Sequence, residues 1–314
     1  RRFMEIGTLN YLLKDKLEAI EVLEDFELRL KLKKPSSSIK GLLTSVNLTP
    51  VSPKSYSAHK DKFNNENFIG TGPYFLKSFS SGQQRIKPYS QYWDKKPLNK
   101  GIDYINFNNS STLFGAIKSK EIDVLISNSI DDLQRISLSN MVRKGKLREG
   151  NGEAIEIGFI TLKSNKLPLS NKKIRQAISY SIDRKLISKQ VSFGTREPLR
   201  SITPPHLYPE SLQPWPSYNP EITRKLLEEE GFCKTNILTI PLTFRSNIPA
   251  DKLLALTWKD QIKRDLSDCI KITLNGLEST TVYKQLAEGS FEAVILDWTG
   301  AYPDPVAYLT PLLS

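Results

Sequence analysis

The last hundred residues alternate between strand-like and helix-like patterns, and this constrains the fold more than any other feature. Ile237 to Phe244 reads as a strand and Ala250 to Leu266 as a helix. Ile270 to Leu274 reads as a strand, Thr280 to Glu288 as a helix and Phe291 to Leu296 as a strand. Short apolar runs of this length suit buried strands. Strand–helix–strand order feeds right-handed crossovers onto a parallel sheet. The expected fold class is therefore α/β. In such a sheet Ile237 and Ile270 start neighbouring strands, so Cys233 and Cys269 lie just before two strand starts on one edge. Two readings of the pair stand: a disulfide, which implies an oxidising compartment, or two separate small apolar residues.

Upstream the pattern is looser. Phe26 to Leu32 alternates apolar and charged residues, as a strand with one wet face does. Tyr74 to Phe79 is a second strand, turned by Ser80-Ser81-Gly82-Gln83 into Gln84-Arg85-Ile86 as a hairpin. Ile102 to Phe107 and Ile122 to Ile126 are further strands, with a short helix around Thr112 to Lys118 between them. Gly70 and Gly72 read as tight-turn glycines. The clearest helix runs from Asn171 to Val191, with Ile174, Ala177, Ile178, Ser181, Ile182 and Leu186 on one stripe and Ser170 or Asn171 as its cap. Asn219-Pro220-Glu221 opens another helix, which Gly231 ends. Between them, Thr203 to Pro220 is an irregular proline-rich loop.

The chain has 314 residues, which suits two lobes rather than one small core. No apolar run approaches the ~18 residues a bilayer span needs. The formal net charge is +11, spread along the chain with one denser run at Arg143 to Arg148 beside glycines. Nucleic-acid binders concentrate such charge and interleave aromatics, so a solvated surface is the preferred reading. Catalytic signatures are missing. His59 and His206 stand apart from any ligand cluster, and there is neither a Gly-x-Ser-x-Gly elbow nor a phosphate loop. Asp123, Asp183 and Asp297 read as caps or ion pairs. No catalytic residue, metal site or cofactor is expected.

Several ordered segments resemble one family, the large periplasmic substrate-binding proteins for oligopeptides, dipeptides and nickel that serve ABC importers. They are Gly70-Thr71-Gly72-Pro73-Tyr74, Tyr92-Trp93-Asp94 with Ile102-Asp103-Tyr104-Ile105, and Glu121-Ile122-Asp123-Val124, where Lys120 stands in place of the usual glycine. Further along come Lys173-Ile174-Arg175-Gln176-Ala177-Ile178 with Ser181-Ile182-Asp183-Arg184, then Leu226-Leu227-Glu228-Glu229-Glu230-Gly231-Phe232, then Asp297 to Pro305 around Trp298. These motifs have plain physical roles as well: Arg175 and Asp183 are expected to orient and pair the Asn171 to Val191 helix as fold residues.

The resemblance implies a two-lobed clamp that closes on a ligand and catalyses nothing. It places residues 1–156 in lobe I (with a remnant of the family's extra domain), 157–297 in lobe II and 298–314 in a return crossing into lobe I. Both ends read as truncated relative to the family. The expected ligand is a small peptide or peptide-like molecule, the expected partner an ABC transporter permease, and the expected state a monomer. The expected location is periplasmic, or extracytoplasmic and membrane-anchored. By the same resemblance the ligand residues are Phe159 on the first crossing strand and Trp298, Thr299, Gly300, Ala301 and Tyr302 on the second. Trp298 reads either as a cleft wall or as a core residue. Peptide-binding members carry an aspartate three residues after this tryptophan, which pairs with the ligand's free α-amino group. Here that position is Ala301. Blocked peptides, peptidoglycan fragments, other amides or a non-peptide solute such as a nickel chelate or glycopeptide are thereby favoured over a free peptide amine. A degenerate sensor is the competing reading.

Overall fold

The computed structural model describes residues 10–52, 69–126, 130–150, 152–208 and 215–313. The chain divides into two compact units, one of Arg1–Ser129 with Ala301–Asp304, the other of Ile130–Gly300 with Pro305–Ser314.

The first unit is built from small pieces. Helix α1 (Tyr11–Lys14) leads into the antiparallel hairpin β1 (Leu17–Glu24) and β2 (Glu27–Leu32), followed by the short helix α2 (Ile39–Leu43). Across the hairpin Ile20 faces Leu30 and Val22 faces Leu28, whereas Glu21 faces Arg29, so one face is apolar and the other ionic. Strands β3 (Tyr74–Phe79), β4 (Gln83–Pro88) and β5 (Ile102–Ile105) form a three-stranded antiparallel sheet in that order. The expected Ser80–Gln83 turn closes through Ser80 N–H to Gln83 O at 2.8 Å. Arg85 forks onto Asp103 with two bonds of 2.7 Å across β4 and β5.

Helix α3 (Ser110–Ser119) follows, capped by Asn109, which accepts from Thr112 N at 2.9 Å. Two expectations fail in this unit. No strand forms over 122–126, because the amides of Glu121 and Ile122 turn back to Ala116 O and close the helix end instead of joining a ladder. Lys120, at the usual glycine position, takes the left-handed conformation with φ 63° that a glycine adopts without a Cβ clash. The second failure concerns Gly70 and Gly72. Neither has a positive φ, and a Cβ on either would meet nothing within 4 Å, so their conformational freedom is not used.

The second unit carries a continuous core. It comprises α4 (Asp132–Arg143), β6 (Glu156–Leu162), α5 (Lys172–Tyr180), α6 (Arg184–Val191), α7 (Pro220–Glu229), β7 (Leu238–Arg245), α8 (Pro249–Asp265), β8 (Ile270–Leu277), α9 (Ser279–Glu288), β9 (Ala293–Thr299) and α10 (Val306–Leu313). The sheet order is β6-β9-β7-β8. Strand β7 runs parallel to β8 and to β9, and β6 is the antiparallel edge beside β9. Leu238 pairs with Ile270 at the start of β7 and β8, as the strand–helix alternation requires. Ile240, Leu242, Ile272 and Ile295 bury against Trp258 and Ile262 of α8, Ile178 of α5 and Leu227 of α7. Each such fully buried side chain contributes about 1.5–3 kcal/mol. Gly276 lies opposite Phe244, and a Cβ there would sit 2.7 Å from the phenyl ring, so only glycine fits.

The long helix expected over 171–191 is two helices. Asn171 caps α5, accepting from Lys173 N at 2.8 Å. The chain breaks at Ser181–Asp183, where Ser181 Oγ bonds Ile178 O and the Asp183 carboxylate caps α6 through Leu186 N at 3.0 Å. Arg175 orients the start of α5 by holding the preceding turn through Leu169 O and Ser170 O, each at 2.9 Å. Asn219 caps α7 by accepting from Ile222 N, and Gly231 follows the helix at φ 78°, both as expected. Helix α4 was unanticipated, although Asp131 and Gln134 form a full capping box. Arg143 ends α4, and Lys144, Lys146 and Arg148 are exposed beyond it.

Cys233 and Cys269 are joined as a disulfide. Beside it Arg224 clasps Asp268, which holds the aspartate's pKa below the usual carboxylate range through the side-chain hydrogen bond. The bridge closes a loop with a sequence separation of 36. In the chain-entropy picture a loop of that length is worth about 4 kcal/mol. Replacing both cysteines by serine is expected to lower the unfolding free energy by roughly 2–4 kcal/mol. Urea unfolding of the two proteins, with unchanged slope, checks this.

Candidate functional site

In an open α/β sheet the carboxyl ends of the parallel strands are where loops converge on ligands. Here those ends are Arg245, Leu277 and Thr299, all in the second unit. The loops leaving them are tied together. Ser246 N–H bonds Leu277 O at 2.7 Å, and Asn247 Oδ1 accepts from both Ser279 N and Ser279 Oγ. Helix α8 starts at Pro249 and α9 at Ser279 on this same edge.

Arg245 lies beneath this edge. Its side chain is 5 % exposed, against 8 % for Asp251 and 43 % for Asp297. Nε and Nη2 donate to Asp251 at 2.7 and 3.1 Å, and Nη2 and Nη1 donate to Asp297 at 2.8 and 3.2 Å. Nη1 also donates to Tyr283 Oη at 3.2 Å. Burial works against the charge on Arg245. The hydrogen bonds to Asp251, Asp297 and Tyr283 outweigh it, and the guanidinium pKa is raised. This one side chain connects the end of β7, the first turn of α8, α9 and the end of β9.

The expected ligand residues divide between the two units. Phe159 on β6 lies opposite Leu296, Ile157 opposite Trp298 and Glu156 opposite Thr299. Phe159 and Trp298 are half-buried and Thr299 is exposed. Trp298 Nε1 donates to Ala307 O at 2.9 Å, which fixes the indole against α10. Gly300 is dictated by Tyr308: a Cβ at Gly300 would lie 2.6 Å from that ring. Tyr308 is buried and donates to Ile155 O at 2.5 Å, and burial pushes its pKa up. Ala301 and Tyr302 belong to the first unit. Ala301 is exposed, while Tyr302 is buried 3.5 Å from a Cβ built at Gly41, with its pKa raised by burial.

The structure therefore gathers Phe159, Trp298, Thr299 and Gly300 on β6, β9 and the residue that follows β9. Arg245, Asp251 and Tyr283 were not anticipated as site residues. Asp297, expected as a cap or ion-pair residue, is an ion-pair residue. Asp183 is a cap. His206 faces Glu153 at 3.6 Å, and His59 lies outside the described residues. Among the described residues no group of three or more His, Cys, Asp or Glu is placed to hold a metal ion, and no helix is long and apolar enough to cross a membrane.

This architecture is an α/β fold of the periplasmic-binding-protein class. The solved NikA of Brucella suis superimposes with a TM-score of 0.79 at 20% identity, covering 96% of this chain and 63% of that one. Residues 2–314 match the model for bacterial extracellular solute-binding proteins, family 5 Middle, and the chain belongs to that family. Heme-binding protein A of Haemophilus influenzae is 25% identical over 309 residues, 95% of this chain and 54% of its own length. The dipeptide-binding protein of Escherichia coli is 24% identical over 254 residues, 79% of this chain and 46% of its own length. The chain thus spans about half the length of these curated relatives.

Replacing Arg245 by leucine leaves Asp251 buried without its counter-charge. A loss of roughly 3–5 kcal/mol is expected, against about 1 kcal/mol or less for Asp297→Asn, whose site is half-exposed and whose partner keeps Asp251. Chemical denaturation of the two variants beside the parent measures the difference.

Proposed function

We propose that the protein is an extracytoplasmic solute-binding protein that captures a peptide or peptide-like molecule and delivers it to the permease of an ABC transporter. The family match over residues 2–314 carries this reading. The relatives named above are binding proteins for heme and for a dipeptide. The family scaffold thus serves chemically different cargo, and ligand choice rests on the residues of the binding edge. The Cys233–Cys269 disulfide suits an oxidising compartment outside the cytoplasm.

Phe159, Trp298, Thr299, Gly300, Ala301 and Tyr302 are the proposed ligand residues. The exposed positions Thr299 and Ala301 and the half-buried rings of Phe159 and Trp298 are the ones available for contact. The role is capture without catalysis.

Ala301 shapes the cargo. It offers no carboxylate, and a ligand ammonium enclosed without a counter-charge costs several kcal/mol. The favoured ligand therefore needs no free amine: a blocked peptide, a peptidoglycan fragment, another amide or a non-peptide solute. Isothermal calorimetry of a short peptide before and after N-acetylation tests this. Affinities within about threefold of each other are expected, and a loss beyond about tenfold on acetylation contradicts it.

A further inference from the structure

Arg245 has five N–H donors, and the structure uses each of them. Nε goes to Asp251, Nη1 to Asp297 and Tyr283, and Nη2 to Asp251 and Asp297. An arginine below the carboxyl ends of parallel strands is chemically suited to grip an anionic group of a ligand. This one has nothing left to offer. One guanidinium against two carboxylates also leaves the cluster with a net charge of −1 in a chain of net +11. Glu278 adds a further carboxylate on the same edge, 3.5 Å from Ser246 Oγ. Asp251 is buried and serves the fold. Asp297 is the half-exposed member, and in the alternation of β9 it shares the face of Thr299 rather than that of Trp298.

From this we infer that Asp297 is a specificity-determining residue that closes the binding edge to a ligand carboxylate. The inference rests on the binding reading above and narrows its ligand class to molecules presenting a neutral group here, such as an amide, an ester or a cyclic backbone. A free carboxylate would have to displace Asp297 from Arg245 and would meet the remaining negative charge of Asp251 and Glu278. Asparagine at 297 changes both conditions. Its single side-chain oxygen replaces two acceptors, so Arg245 regains an unpaired N–H, its amide adds a donor, and the cluster becomes neutral.

The test uses one N-acetylated tripeptide as the free acid and as the C-terminal amide, titrated calorimetrically into the parent protein and into Asp297→Asn. The parent is expected to bind the amide at least as tightly as the acid. The variant is expected to shift the acid-to-amide preference toward the acid by about fivefold or more. A parent that binds the acid more than about tenfold tighter than the amide, or a variant with unchanged preference, overturns the inference. A second arm needs no peptide. Inorganic phosphate is titrated against the thermal midpoint of both proteins at constant ionic strength, and a saturable rise is expected in Asp297→Asn beyond that of the parent. Equal responses overturn the role of Asp297. Absence of tripeptide binding to both proteins, with the phosphate difference present, strikes the peptide reading and leaves Asp297 as the residue that blocks anions.

Discussion

A buried guanidinium held between two carboxylates organises the carboxyl end of the parallel strands. The strands of the second unit approach that edge from β7 and β9, and helices α8 and α9 depart from it. Arg245 on β7 bonds Asp251 at the start of α8, Tyr283 in α9 and Asp297 on β9. Four elements are thus held in one geometry by a group whose removal would leave Asp251 as an uncompensated buried charge. The backbone that leads to Trp298, Thr299 and Gly300 inherits that order. The next restraint is steric: Tyr308 packs where a Cβ at residue 300 would be, and Trp298 bonds Ala307.

The opposite edge of the sheet is built differently. There the Cys233–Cys269 disulfide and the Arg224–Asp268 pair secure the starts of β7 and β8. The carboxyl end uses hydrogen bonds and ion pairs, in which one substitution resets charge without removing the frame.

Legibility followed the range of the interactions. Local rules exposed most of the second unit: Asn219, Pro220 and Gly231 announce α7, and the apolar runs announce β7, β8 and β9. Where a short polar side chain had two uses, the pattern misled. Ile182 and Leu186 continue the apolar stripe of α5, yet Asp183 caps a new helix between them. At 122–126 the apolar residues suit a strand, but the amides of Glu121 and Ile122 close the end of α3 instead. The Asp131–Gln134 capping box is a local sequence signal for the start of α4. The Arg245 cluster was hidden for another reason. Its members lie six, thirty-eight and fifty-two residues from Arg245, and no periodicity links them. Asp297 was legible as an ion-pair residue, while its partner was not. The family resemblance supplied Phe159 and the residues from Trp298 onward, because it rests on ordered motifs rather than on contacts.

The central claim is that this edge holds a small solute. Native mass spectrometry of the protein purified from a bacterial host, beside its Trp298→Ala variant, addresses it most directly. The account predicts a noncovalent small-molecule adduct on the parent chain, released by mild unfolding and depleted in the variant. A parent chain free of any small molecule, or an adduct that the Trp298 change leaves undiminished, would contradict it.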